Sequence, residues 1–207
     1  MSDIINSGES LTLDKQVSIA QTKSQGGRRV AQKRGPTLYN LDVQVPTQRL
    51  NGDKYYAIEE EILKLGYGAY TFNAASVSGV LPSPMTVSRG VWSFTPAVAG
   101  ASQTGSSVNI NIGSASSIVD YAKSFDYVQF NGSTKVYQLT ADATSDSSGN
   151  VTLTLNCPLV ASPNHGSGVV FGNSVDFNFA LMERPSSSHL PGTLIQYGTF
   201  KFQEIIE

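Results

Sequence analysis

The chain has 207 residues, enough for one large or two small domains with cores of their own, and two domains are the expectation. Charged residues make up only 14% and the formal net charge is -2, so nothing global draws the chain to nucleic acid, an anionic membrane or an acidic polymer. Cys157 is the single cysteine, which excludes an internal disulfide or a two-cysteine metal site and leaves it the role of a small buried hydrophobe.

The opening MSDIINSGESLTLDKQ has neither a basic leader nor an apolar signal core, and no run approaches the roughly 20 apolar residues of a membrane span. The expectation is a chain made and used in soluble form, without Sec export and with no membrane partner. The segment KSQGGRRVAQKRG follows, where Lys23, Arg28, Arg29, Lys33 and Arg34 occur with no acidic residue between Asp14 and Asp42. It reads as an extended hairpin with its tip at Gly26-Gly27, and two roles stay open. The basic residues can meet an acidic surface of a neighbouring subunit, where arginine suits paired carboxylates. Alternatively, several copies around a ring would make a positive collar for DNA, independent of sequence and sensitive to salt.

In LYNLDVQV, Tyr39, Leu41, Val43 and Val45 alternate with polar residues, the period-two pattern of a half-buried antiparallel strand. The pattern changes in NGDKYYAIEEEILKLGYG, where Tyr55, Ile58, Ile62 and Leu65 make one helical stripe and predict a helix near 52–65. Asn51 or Asp53 is the expected cap, Glu60 and Lys64 an i,i+4 pair, and Gly66 the terminator. Pro82 and Pro84, then ASPNHGSG near 161–168, divide the chain. Between them VNINI and VTLTL alternate, and VYQLTADA is expected to pair with VTLTLN as a hairpin through TSDSSGN. VDFNFAL and TFKFQEII then resume the strand pattern, which predicts a discontinuous first domain, 1–84 plus 172–207, and a small inserted all-β domain, 85–171.

Chemistry-bearing residues are few. His165 and His189 stand in Ser- and Gly-rich loops with no second ligand at i+3 or i+4, and the chain has no HExxH, GxSxG or P-loop. Glu59, Glu60 and Glu61 are consecutive, so on a helix they fan out by about 100° each and read as a solvated face. Asp146, Ser148 and Asn150 are spaced like the start of a calcium loop, but no glutamate follows at the twelfth position, which leaves a hairpin turn. Asp120 and Asp126 are near neighbours, yet neither stands in an apolar setting that would raise a carboxyl pKa, so no catalytic pair is expected. Trp92, Tyr121, Tyr127 and Tyr137 serve a small core; if solvent-facing, the last three would instead offer stacking surfaces to a glycan. No cofactor is expected.

The order of features resembles the distal tail proteins of tailed phages, which also occur as baseplate hub components. The residues that carry the resemblance are VSIAQTKSQGGRRVAQKRG, LYNLDVQVP, YYAIEEEILKLGYG with AYTF, and above all FDYVQFNGSTKVYQLTADATSDSSGNVTLTLNCPLV. The likeness spans roughly residues 10 to 206 and is one of pattern, without a catalytic motif. It implies a mainly β fold, a tail-tube-like β-sandwich with one flanking α-helix. It further implies a structural virion protein, made in the host cytoplasm, whose hexameric ring at the tail tip links tail tube to hub or fibre proteins. The inserted domain would point outward and the basic hairpin toward a subunit boundary or the DNA in the lumen. Larger members carry sugar-binding insertions, whereas the insert here is short. A glycan- or receptor-binding module of a phage tail is the alternative, and a cell-wall hydrolase would need acids or a nucleophile that the sequence does not supply.

Overall fold

The computed structural model describes residues 4, 8–23, 29–64, 70–73, 95–113 and 121–206. In chain order the elements are β1 (Ser10–Lys23), β2 (Arg29–Gln44), β3 (Gln48–Arg49), α1 (Asp53–Leu63), β4 (Tyr70–Asn73), β5 (Ala97–Val98), β6 (Ser107–Asn111) and β7 (Tyr127–Phe130). Then come β8 (Val136–Gln138), β9 (Asn150–Thr154), β10 (Val169–Phe171), β11 (Asp176–Leu181), β12 (Ser187–Leu190), β13 (Leu194–Tyr197) and β14 (Phe200–Glu204). Among the described residues the fold is mainly β with one α-helix.

The largest sheet runs β1-β2-β14-β11-β4, antiparallel throughout. Alternation decides its faces: Tyr39, Leu41 and Val43 of β2, Phe177 and Phe179 of β11, and Phe200 and Phe202 of β14 are all buried on one side. α1 covers that side with Ile58 and Ile62, and Tyr55 packs at the margin. The helix starts differently from expectation, because its N-cap is Gly52 with no side-chain bond. Asn51 lies one residue too early and takes a left-handed backbone (φ 65°), where its amide oxygen accepts the Tyr56 hydroxyl at 3.1 Å. Gly66 and Leu65 lie outside the described residues.

A second hydrophobic cluster is built from residues 98 to 169, including Val108, Ile110, Val151 and Leu153, and the chain enters and leaves it side by side where Ala97 bridges Gly168. Between the clusters lies the sheet β10-β7-β8, buried on both faces. Tyr127 and Val136 pack into the first cluster, and Val128, Phe130 and Tyr137 into the second. The expected VYQLTADA–VTLTLN hairpin is therefore corrected: β8 pairs with β7 across the Asn131-Gly132 turn, β9 pairs with β6, and the expected pairing shrinks to a bridge at Leu139 and Leu155, flanked by the Thr140 N–H on the Thr154 carbonyl and the Asn156 N–H on the Gln138 carbonyl. The stretch after Leu139 turns away because Ala143 bridges Ala122, and both are core residues. The turn chemistry at TSDSSGN is as read, with Asp146 Oδ1 accepting the N–H groups of Ser148 and Asn150 at 2.8 Å each and Gly149 at φ 79°.

Candidate interaction surface

β1 and β2 form a long ribbon, paired from Ser10↔Gln44 to Lys23↔Arg29. β14 pairs with β2 only over Asn40–Val43, so beyond Tyr39 the ribbon continues as a two-stranded arm, roughly 20 Å from Val17 to Lys23 at 3.3 Å per residue. Two residues set where the arm leaves the sheet. Gly35 takes φ 79° and Pro36 has no N–H, so the ladder jumps from Val17↔Thr37 to Ile19↔Lys33. Of the five basic residues expected here, Lys23 and Arg29 are direct partners in the ladder, Lys33 is opposite Ile19, and Arg34 belongs to the register shift. Arg28 lies outside the described residues.

The arm has open edges. Among the described residues β1 is the end strand of its sheet along its whole length, and no strand pairs with the second side of β2 from Arg29 to Tyr39. Such edges are templates for another strand. The sheet face opposite the core is amide-rich: Gln203 Nε2 donates to Gln16 Oε1 at 2.8 Å and to Asn40 Oδ1 at 3.3 Å, which links three neighbouring strands.

At the arm's base the core stripe outruns the core. Leu11, Leu13, Lys15 and Val17 share one face of β1, as their partners Val43, Leu41, Tyr39 and Thr37 show. Leu11 and Leu13 pack against the first cluster, but Val17 stays 41% exposed over a cleft of about 290 Å³ whose other wall includes Phe125, 60% exposed. The Thr37 hydroxyl at this cleft is buried with no hydrogen-bond partner. A second cleft of about 450 Å³ lies on the other side of the Pro36-Thr37 step, against Pro158, Leu159 and Val160. Burial lowers the Lys15 pKa, and its ammonium donates to Gln138 Oε1.

Two polar joints hold the second cluster in place against the large sheet. Lys135 and Glu204 are both fully buried side chains, with Nζ and Oε2 2.6 Å apart. Glu204 also accepts the backbone N–H of Tyr39 at 3.2 Å and of Val136 at 3.1 Å, and the Lys135 ammonium lies 4.8 Å from the Tyr39 ring centre and 5.8 Å from that of Tyr137. Burial raises the Glu204 pKa, and the nearby ammonium opposes that rise. At the second joint Gln129 imitates a strand partner: its Oε1 accepts the Asp176 N–H and its Nε2 donates to the Asp176 carbonyl, each at 2.9 Å. Around these joints Tyr39, Tyr127 and Phe177 meet edge to face, with centroids 5.4 to 5.9 Å apart.

The remaining sequence candidates fall elsewhere. Tyr121, Tyr127 and Tyr137 are 3%, 2% and 1% exposed, a correction to the reading that offered them to a glycan. The two clusters share a thin sheet and need those rings as filling; burial pushes all three phenols up to about 12, and the Tyr137 hydroxyl accepts the Val160 N–H at 3.0 Å. The carboxylate run is not one solvated face either. Glu60 is exposed and pairs with Lys64 at 2.6 Å, but Glu61 is buried and accepts the Ile4 N–H at 3.0 Å. Glu59 accepts the Tyr197 hydroxyl at 2.7 Å and faces Arg184 at 3.4 Å. Asp126 is fully buried, contrary to its expected setting, and its Oδ2 accepts the Lys123 N–H at 2.8 Å as the cap of a tight turn. Asp120 and Trp92 lie outside the described residues. Exposed His165 accepts the Gly100 N–H at Nδ1 (3.0 Å), His189 sits on exposed β12, and Cys157 is buried.

Among the described residues no group of three or more His, Cys, Asp or Glu side chains could hold a metal ion, and no helix is long and apolar enough to cross a membrane. Sequence reasoning missed the Lys135–Glu204 joint and the cleft. Residues 69 positions apart leave no local signal for a buried pair, whereas the cleft was signalled by the apolar stripe of β1 running past Lys15 and by Gly35-Pro36. No protein-family model matches the chain, and no curated protein matches it.

Proposed function

We propose that the chain is a structural virion protein, without catalytic activity, that forms a hexameric ring at the distal end of a phage tail and links the tail tube to hub or fibre proteins. The observation that carries this reading is the β1–β2 arm, a basic ribbon with unpaired edges that leaves the sheet beside an apolar cleft. An edge of that kind is a liability on a lone molecule, and pairing with the next copy in a closed ring removes it. The low charge and the amide-rich outer face favour the same use, since such surfaces lose little hydration when buried against a partner. The protein would be made in the host cytoplasm and act in the virion, at the tail tip or baseplate, with the arm at a subunit boundary or near the DNA in the lumen. The alternative of a glycan-binding module loses its proposed surface with the burial of Tyr121, Tyr127 and Tyr137.

The test is the mass in solution by light scattering behind a sizing column at physiological salt. A hexamer, formed alone or on adding tail-tube or hub protein, is the expected result. Replacing Arg28 and Arg29 by glutamate should block that assembly while leaving the monomer folded. A strict monomer that ignores tail proteins but is retained on host polysaccharide would overturn the reading.

A further inference from the structure

Two apolar surfaces lack a cover among the described residues. One is the cleft at the arm's base, walled by Val17 and Phe125, with the separate cleft at Pro36 and Val160, which is 46% exposed, on the other side of the Pro36-Thr37 step. The other is the outer side of α1, where Tyr56 and Leu63 are 57% and 74% exposed. They are seven residues apart, two turns, and so belong to one stripe, turned away from the Ile58 and Ile62 stripe that faces the core. The two surfaces share no residue, and a contact between one and the other runs head to tail when each copy offers them to different neighbours.

Their chemistry matches. With Glu61 buried, the surface of the helix from Asp53 to Lys64 carries Asp53, Glu59 and Glu60 against two lysines, while Lys15 lines the cleft and Lys33 and Arg34 are the residues just before Gly35-Pro36. Val17, Phe125 and Leu139 give the cleft its apolar wall, and Ser124, Gln138, Thr140 and Asn156 give it a polar rim. A tyrosine suits such a site, having an apolar body and a polar tip, and the Tyr56 hydroxyl is now engaged only at the surface with Asn51. We propose that the cleft seats helix α1 of a second copy, with Tyr56 and Leu63 entering between Val17 and Phe125. This deepens the ring reading and rests on it: each copy offers its helix to one neighbour and its cleft to the other.

The experiment uses two exposed positions, Leu63→Cys and Phe125→Cys, with Cys157 buried and unreactive in both. Each singly substituted protein is mixed with the other under mild oxidation, and the doubly substituted chain is oxidised alone. The expected result is a disulfide-linked pair only in the mixture, and a ladder ending at the ring size for the doubly substituted chain. Homotypic pairs alone, or no cross-link, would overturn the docking. Light scattering of the unsubstituted protein in the same buffer, with tail-tube and hub protein added, separates the two failures: assembly without the 63–125 cross-link refutes the socket and spares the ring, and a persistent monomer refutes both. Phe125→Glu and Leu63→Glu should each weaken assembly at least tenfold with circular dichroism of the monomer unchanged; assembly at full strength in both would also refute the socket.

Discussion

Replacing Lys135 by methionine keeps much of the side-chain volume and removes the ammonium, leaving the Glu204 carboxylate in a fully buried site. Removing one partner of a buried ion pair costs about 3–5 kcal/mol, because the other charge keeps its desolvation penalty. The two backbone N–H groups on Glu204 do not offset this, since they are already bonded in the native protein. The loss is pH-dependent. Burial already raises the Glu204 pKa and Lys135 opposes the rise, so losing Lys135 raises it further. An acid with a raised folded-state pKa contributes stability that is fully present below its unfolded pKa, about 4.3, and lost as pH rises through the folded value. Lys135→Met should therefore be least harmful below about pH 4 and most harmful at pH 7 and above. The double variant Lys135→Met with Glu204→Gln should recover most of the loss, because the amide oxygen still accepts one N–H and no charge remains. Urea unfolding followed by far-ultraviolet circular dichroism from pH 4 to 8 measures all three. A loss below about 1 kcal/mol at pH 7, or one that does not vary with pH, would refute the reasoning that the pair is dry and mutually dependent.

Other consequences are direct. Gln129→Ala removes both bonds to the part-buried N–H and carbonyl of Asp176 and should cost about 1–3 kcal/mol in the same unfolding assay, at roughly 0.5–1.5 kcal/mol per hydrogen bond. In a spectrophotometric titration of the nine tyrosines, Tyr39, Tyr121, Tyr127, Tyr137 and Tyr197 should stay protonated well past pH 10, since burial raises each. Stability from these phenols is present below the unfolded value near 10 and lost as pH rises toward 12, so alkaline unfolding should coincide with their ionisation. The Asp146 carboxylate is held below its usual range, first by the Asn150 N–H, so its stabilisation of the turn is present above about pH 4 and lost below it. Asp146→Ala should be destabilising at neutral pH and nearly neutral in acid, as read by amide hydrogen exchange at Gly149 and Asn150.

Much of the fold was written in local pattern. The alternation in LYNLDVQV and VDFNFAL named the buried faces of β2 and β11, and the three-four spacing of Tyr55, Ile58 and Ile62 named the covering helix, because a half-buried element must repeat its apolar residues at its own period. β7 and β8 escape this logic. Tyr127 and Val128 face different cores, so the segment is buried on both sides and its sequence has no wet face to betray the pairing; the expected hairpin to the β9 strand is reduced there to a bridge at Leu139 and Leu155. Tertiary structure decided most of the candidate site. Nothing near Lys135 in sequence announces Glu204, since a charge is stable in the interior only through a partner that folding brings from 69 residues away. The exposure of Val17, Phe125, Tyr56 and Leu63 is decided in the same way: each is apolar and reads as core, and only the packed arrangement shows where the core ends and surface for another molecule begins.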